Sequence, residues 1–172
     1  NMPNDAYHSH LEGISSSGLK TVLRSPAHYK FQAARTPSRA MEIGTAIHTA
    51  LLEPDRFKAD YVLLHGVKAR TATEYKQAVK EHGTEAVLTS SEAENVLGMQ
   101  EAVLANSLMR SRLTGKGWRE LSLFVRDPVT AVLIRVRYDL LLTDGTIVDV
   151  KKTQDARPDP FSRAIDNYGY DL

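Results

Sequence analysis

Apolar positions recur at helical spacing through the first part of the chain and then switch to alternation. After Ser15-Ser16-Ser17, Leu19, Val22 and Leu23 fall on one helix face, and Ser25-Pro26 restarts a second helix with a cap and a proline at its first position. From Arg39 to Leu52, Ile43, Ile47 and Leu51 repeat every four residues until Glu53-Pro54 stops the run, which predicts a helix buried along one stripe. Tyr61 to Leu64 reads as a short strand. Thr71-x-x-Glu74 reads as a capping box for a polar surface helix closed by Gly83, and Ser91-x-x-Glu94 as a second box. The second box opens a longer helix, with Val96, Val103 and Leu104 inward, running to about Leu113 before Gly115.

Then the period changes to two. In Trp118 to Val125, Leu121, Leu123 and Val125 alternate with Glu120, Ser122 and Phe124; in Thr130 to Leu142, Val132, Ile134 and Val136 alternate with Leu133, Arg135 and Arg137. Thr143-Asp144-Gly145 is turn chemistry, and Thr146 to Lys152 is a third strand. After a proline-bearing loop over Asp155 to Pro160, Phe161, Ile165 and Tyr168 mark a closing helix. The fold class expected is α+β: a helical N-terminal half over residues 1–113, then a mainly antiparallel sheet with flanking helices over 114–172, in one domain.

Length and composition narrow the function classes. A chain of 172 residues can bury ~70% of its unfolded surface in one core. With 42% hydrophobic and 25% charged residues, it is neither disordered nor low-complexity. The net charge of +1 leaves any grip on nucleic acid to local basic patches. The lack of cysteine excludes disulfides, thiolate metal sites and a cysteine nucleophile, so a metal would need oxygen or imidazole ligands. Short apolar runs and an N-terminus without signal-peptide layout predict a soluble, cytoplasmic protein with no membrane segment.

The chemistry concentrates in Arg135-Val-Arg-Tyr-Asp139, the turn, and Asp149-Val-Lys151. Alternation puts Ile147, Asp149 and Lys151 on one strand face and Val148 and Val150 on the other, so a carboxylate and an ammonium project side by side. If Asp139 joins them, two carboxylates converge where a hard cation such as Mg²⁺ can sit, with Lys151 beside it. That set serves phosphodiester hydrolysis, although Asp-x-Lys on a strand is commonly just a solvated face. Turn geometry decides whether the carboxylates meet. A two-residue Asp144-Gly145 turn puts Asp139 opposite Val150, whereas a three-residue loop pairs Leu142 with Thr146, puts Asp139 opposite Asp149, and requires positive φ at Gly145.

Several separated motifs then resemble the exonuclease VIII (RecE-type) group of the PD-(D/E)xK nuclease superfamily. These are Tyr7-His8 with Gly13-Ile14-Ser15-Ser16-Ser17-Gly18-Leu19 and Ser25-Pro26-Ala27-His28-Tyr29; Gly44-Thr45-Ala46-Ile47-His48 with Leu52-Glu53-Pro54; and Asp144 through Lys151 with Tyr168-Gly169-Tyr170. The resemblance covers nearly the whole chain. It implies Asp139 and Asp149 as metal ligands, with His48 as a further ligand or phosphate contact, Val150 in the same metal set, and Lys151 as the catalytic lysine. His48 has the alternative of a hydrogen-bonded core histidine. Glu120 matches a carboxylate that the family places on the strand before the site, read here as support behind the ligands or as a surface group.

The chain departs from the family pattern at Tyr138, where Pro is usual, and at Lys152, where Thr is usual. The family continues with a Gln-x-x-x-Tyr element and further strands after Tyr168-Gly169-Tyr170, so the core is expected to be truncated at Leu172. For DNA, Arg135 and Arg137 are the preferred phosphate contacts through their forked donors, with pairing to Glu120 as the structural alternative. Lys68, Arg70, Lys76, Lys80, Arg110, Arg112, Lys116 and Arg119 form basic clusters that serve as phosphate contacts or as solvated faces.

The resemblance implies an Mg²⁺-dependent exonuclease, with Mn²⁺ able to substitute, that digests linear double-stranded DNA from its ends in phage or bacterial homologous recombination. It further implies a ring-like homo-oligomer and a single-strand annealing partner. A non-catalytic DNA-binding or assembly module derived from such a nuclease, and a nuclease of the same fold for nicked, branched or single-stranded ends, are the competing readings.

Overall fold

The computed structural model describes residues 2, 6–7, 12–33 and 36–169. His8 and Tyr170, which belong to two of the motifs above, lie outside them. The architecture is α+β. Helices α1 (Ser16–Arg24) and α2 (Pro26–Phe31) are capped by the Ser15 and Ser25 hydroxyls, which accept from the Gly18 and His28 amides. Helix α3 (Arg39–Leu52) is capped by Ser38 and ends where Pro54 opens α4 (Pro54–Asp60). Strand β1 (Val62–Leu63), helix α5 (Thr73–His82) and strand β2 (Val87–Leu88) follow, with β1 and β2 pairing in parallel beneath α5. Helices α6 (Ser90–Ala105) and α7 (Ser107–Thr114) lead into β3 (Gly117–Arg126), β4 (Leu133–Leu142) and β5 (Ile147–Val148), an antiparallel sheet in that order. Helix α8 (Pro158–Tyr168) closes the described chain. No helix among the described residues is long and apolar enough to cross a membrane.

Three local expectations are corrected. Helix α5 starts at Thr73 with Ala72 at its cap, so Thr71 lies outside the capping position and no side chain caps that end. The box that opens α6 is Thr89-x-x-Glu92, two residues before the pair read from sequence. Glu92 is held by Arg39 from α3, and this tertiary ion pair selects which hydroxyl caps the helix. The helix expected to reach Leu113 breaks at Asn106, whose side-chain oxygen accepts from the Leu108 and Met109 amides and starts α7.

The main core lies between α3, α6 and the sheet, with Ala46, Ile47, Ala50, Leu52, Val96 and Leu140 almost fully buried. The hairpin β4–β5 has the register the site demands. Leu140 faces Val148 and Leu141 faces Ile147, the Leu142 amide donates to the Thr146 carbonyl at 2.8 Å, and Gly145 has φ +84°. A Cβ at Gly145 would meet nothing within 4 Å, so its cost is purely conformational. Gly145→Ala should therefore lower unfolding free energy by about 1 kcal/mol in urea denaturation, and an unchanged midpoint would refute the positive-φ turn.

The β3–β4 ladder carries a feature that alternation in the sequence does not reveal. One register runs from Gly117–Leu142 to Arg126–Leu133, with the Glu120–Asp139 step missing from the ladder. Near one end the Thr143 amide donates to Lys116; near the other the Asp127 amide donates to Val132, while Arg135 and Leu133 bond away from β3 to Ile14. Odd-numbered β4 residues thus face β3 at one end and away from it at the other. The inversion falls at Glu120, whose φ of +51° is left-handed in mid-strand. A regular ladder would send Asp139 and Leu140 to opposite faces. At the inversion, Leu140 enters the core while Asp139 meets His48 of α3.

Candidate active site

Three titratable side chains gather at the inversion. His48 on α3, Glu120 on β3 and Asp139 on β4 each offer one ligand atom within 4.8 Å of the others, and all three are half-buried. His48 Nδ1 lies 3.5 Å from Asp139 Oδ2, and the same oxygen accepts from the Val150 amide at 2.6 Å. That bond marks the end of the β5 ladder, because the side chain takes an amide that a longer strand would give to the backbone. Burial pushes the Asp139 carboxyl up from its ordinary value and nearby Asp149 adds to this; the Val150 amide, His48 and Lys151 pull the other way.

Asp149 and Lys151 stand beside this group. Strand β5 ends at Val148, yet the expected alternation continues: Val148 and Val150 pack against the core, while Asp149 and Lys151 are exposed and paired to each other at 2.6 Å. The structure therefore brings His48, Glu120 and Asp139 together and leaves Asp149 paired with Lys151. Val150 meets the group through its donor amide. Glu120, read from sequence as support or a surface group, has its carboxylate in the cluster itself.

The arginines read as phosphate contacts have intramolecular partners. Arg137 Nε donates to Glu120 at 2.6 Å, and Arg137 Nη1 donates to Ser122 Oγ and the Met2 carbonyl, each at 3.0 Å. Pairing with Glu120 is thus the arrangement present. Arg135 donates to the Tyr7 carbonyl at 2.9 Å, and both guanidinium groups lie within 5.3 Å of the Tyr7 ring centroid. Tyr7 is buried against Phe124, and that burial raises its hydroxyl pKa, with the two arginines opposing the rise. Sequence reasoning placed Tyr7 in a motif without a role, because nothing local ties residue 7 to the sheet. Among the basic clusters, Arg70 bonds the Tyr75 hydroxyl, Arg112 pairs with Asp144 at 3.3 Å, and Arg119 donates to the Leu113 carbonyl.

The donor set fits a divalent cation. Ligands sharing an octahedral ion at ~2.1 Å lie about 3 Å apart when adjacent and about 4.2 Å apart when opposite, so small side-chain movements close this group onto one ion. Two carboxylates suit Mg²⁺ or Mn²⁺, and the imidazole adds a nitrogen donor.

The α+β fold brings the helix histidine and two strand carboxylates together next to a carboxylate–lysine pair, an arrangement compatible with a PD-(D/E)xK-type domain. Residues 15–172 match the PDDEXK-like domain of unknown function (DUF3799), and the chain belongs to that family. Nucleases of the PDDEXK-like class use divalent metals. Comparison with curated proteins gives no match.

Proposed function

We propose that this chain is a divalent-metal-dependent deoxyribonuclease. The observation that carries the reading is the convergence of His48, Glu120 and Asp139 beside the Asp149–Lys151 pair. Asp139, Glu120 and His48 would hold the ion, with Asp149 joining them on release from Lys151. Bound there, Mg²⁺ or Mn²⁺ would polarise a phosphoryl oxygen and lower the pKa of a water. Lys151 would then donate to the attacking water or to the phosphate oxygen on which charge accumulates. Asp139 also keeps Val150 in place through its amide, so the hairpin end and the ligand are fixed together.

The finer reading rests on the motif resemblance. The enzyme digests linear double-stranded DNA from its ends in recombination, in the cytoplasm, as a ring-like homo-oligomer beside an annealing partner. End-labelled linear duplex incubated with Mg²⁺, Mn²⁺ or EDTA, next to a closed circle, tests both levels. Metal-dependent loss of the linear form alone is expected; attack on the circle would replace exonuclease with endonuclease, and binding without loss would remove the enzymatic reading. Lys151→Ala should slow cleavage by more than about tenfold at unchanged Mn²⁺ affinity, since the ammonium is not a ligand. A variant whose whole defect is weaker metal binding would contradict that role.

A further inference from the structure

We infer that Tyr7 is a positioning residue for Glu120: its buried ring fixes the Arg137 guanidinium that holds the Glu120 carboxylate in the His48–Asp139 group. The inference rests on the metal-site reading above and extends it to a residue from the far end of the sequence.

Glu120 is the member of the cluster least able to hold its own position. Its φ of +51° is a strained conformation for a non-glycine residue, so surrounding contacts must maintain it. The contact present is a charge-assisted bond of 2.6 Å from Arg137 Nε. Arg137 also donates to Ser122 Oγ and the Met2 carbonyl, and it lies over the same tyrosine ring as Arg135, two residues away on the same strand. The like charges repel each other, and the attraction of each guanidinium to the ring offsets that repulsion. Tyr7 is only 6% exposed and sits edge-on to Phe124 at 6.4 Å, so the ring itself is held firmly. Without it the repulsion frees Arg137 to move, Glu120 loses its anchor, and the strand relaxes toward a regular ladder with the carboxylate withdrawn.

Direct Mn²⁺ titration by calorimetry, with no nucleic acid present, reads this out. Tyr7→Phe keeps the ring and should bind Mn²⁺ within about twofold of the wild type. Tyr7→Ala, and Tyr7→Leu, which keeps apolar bulk without the π face, should bind about tenfold more weakly or worse. In a Glu120→Ala background, Tyr7→Leu should change affinity no further, because its effect passes through Glu120. Tyr7→Leu equal to wild type, or a penalty that persists undiminished without Glu120, overturns the positioning role. If Tyr7→Ala does not fold, the Phe and Leu variants decide the matter alone. Wild-type protein that binds no Mn²⁺ would instead overturn the nuclease reading beneath it, so the two failures are distinguishable.

Discussion

Asp139→Asn should reduce metal-dependent cleavage by more than about 100-fold while leaving the fold intact. The two halves of this expectation have separate causes. The charge of Asp139 is what attracts a cation, and an amide of the same size lacks it. The fold depends on a different property, the oxygen that accepts from the Val150 amide, and asparagine keeps an oxygen there. Burial already raises the carboxyl's pKa, so ionised Asp139 opposes folding in the absence of metal at neutral pH. The metal-free variant should therefore melt slightly above the wild type, and added Mn²⁺ should stabilise the wild type alone. Near wild-type cleavage by Asp139→Asn, with Mn²⁺ still raising its melting temperature, would remove Asp139 from the site.

Much of the site was legible because strand register is arithmetic. The need for Asp139 to face Asp149 selected the three-residue loop, and that loop is present with Gly145 at positive φ. The helices were legible for a similar reason, since each cap or proline acts within a few residues. Two misses were local, the start of α5 at Thr73 and the break at Asn106; the others were non-local. The capping box of α6 was misplaced because Arg39, distant in sequence, chooses Glu92 as its partner. The ladder inversion escaped because alternation assumes an uninterrupted ladder, and a left-handed residue at Glu120 leaves that pattern of residue types unchanged. Glu120 consequently read as support behind the ligands or as a surface group. The inversion moves its carboxylate beside Asp139, and places the candidate centre at the irregular step of the β3–β4 ladder, where strain and chemistry often coincide.

Arg39→Met should cost about 3 kcal/mol, roughly 10 °C in melting temperature, the largest stability loss expected of any one change outside the apolar core. Arg39 joins three parts of the fold at once. Its Nε and Nη2 grip both oxygens of Glu92 at 2.8 and 2.6 Å, Nη1 reaches Glu42 and the Thr84 carbonyl, each at 2.8 Å, and Nη2 also reaches the Val87 carbonyl at 2.7 Å. Removing it takes a donor from two carboxylates and two carbonyls that are largely shielded from water, and leaves Glu92 with the Thr89 amide. The same network sets an acid limit. The Arg39 guanidinium, with help from the Thr89 amide, holds the Glu92 carboxyl at about 2, against an ordinary value of 4.5. Between these values the unfolded chain binds the extra proton, so the Glu92 contribution is complete above about pH 4.5 and is lost as pH falls toward 2. Because part of the pair meets solvent, that contribution should be about 2 kcal/mol, less than a fully enclosed ion pair would give. Denaturation of wild type and Glu92→Gln across this range should show two curves about 2 kcal/mol apart at neutral pH that converge near pH 2. A constant gap across that range would mean that packing, not charge, carries the contact between α3 and α6.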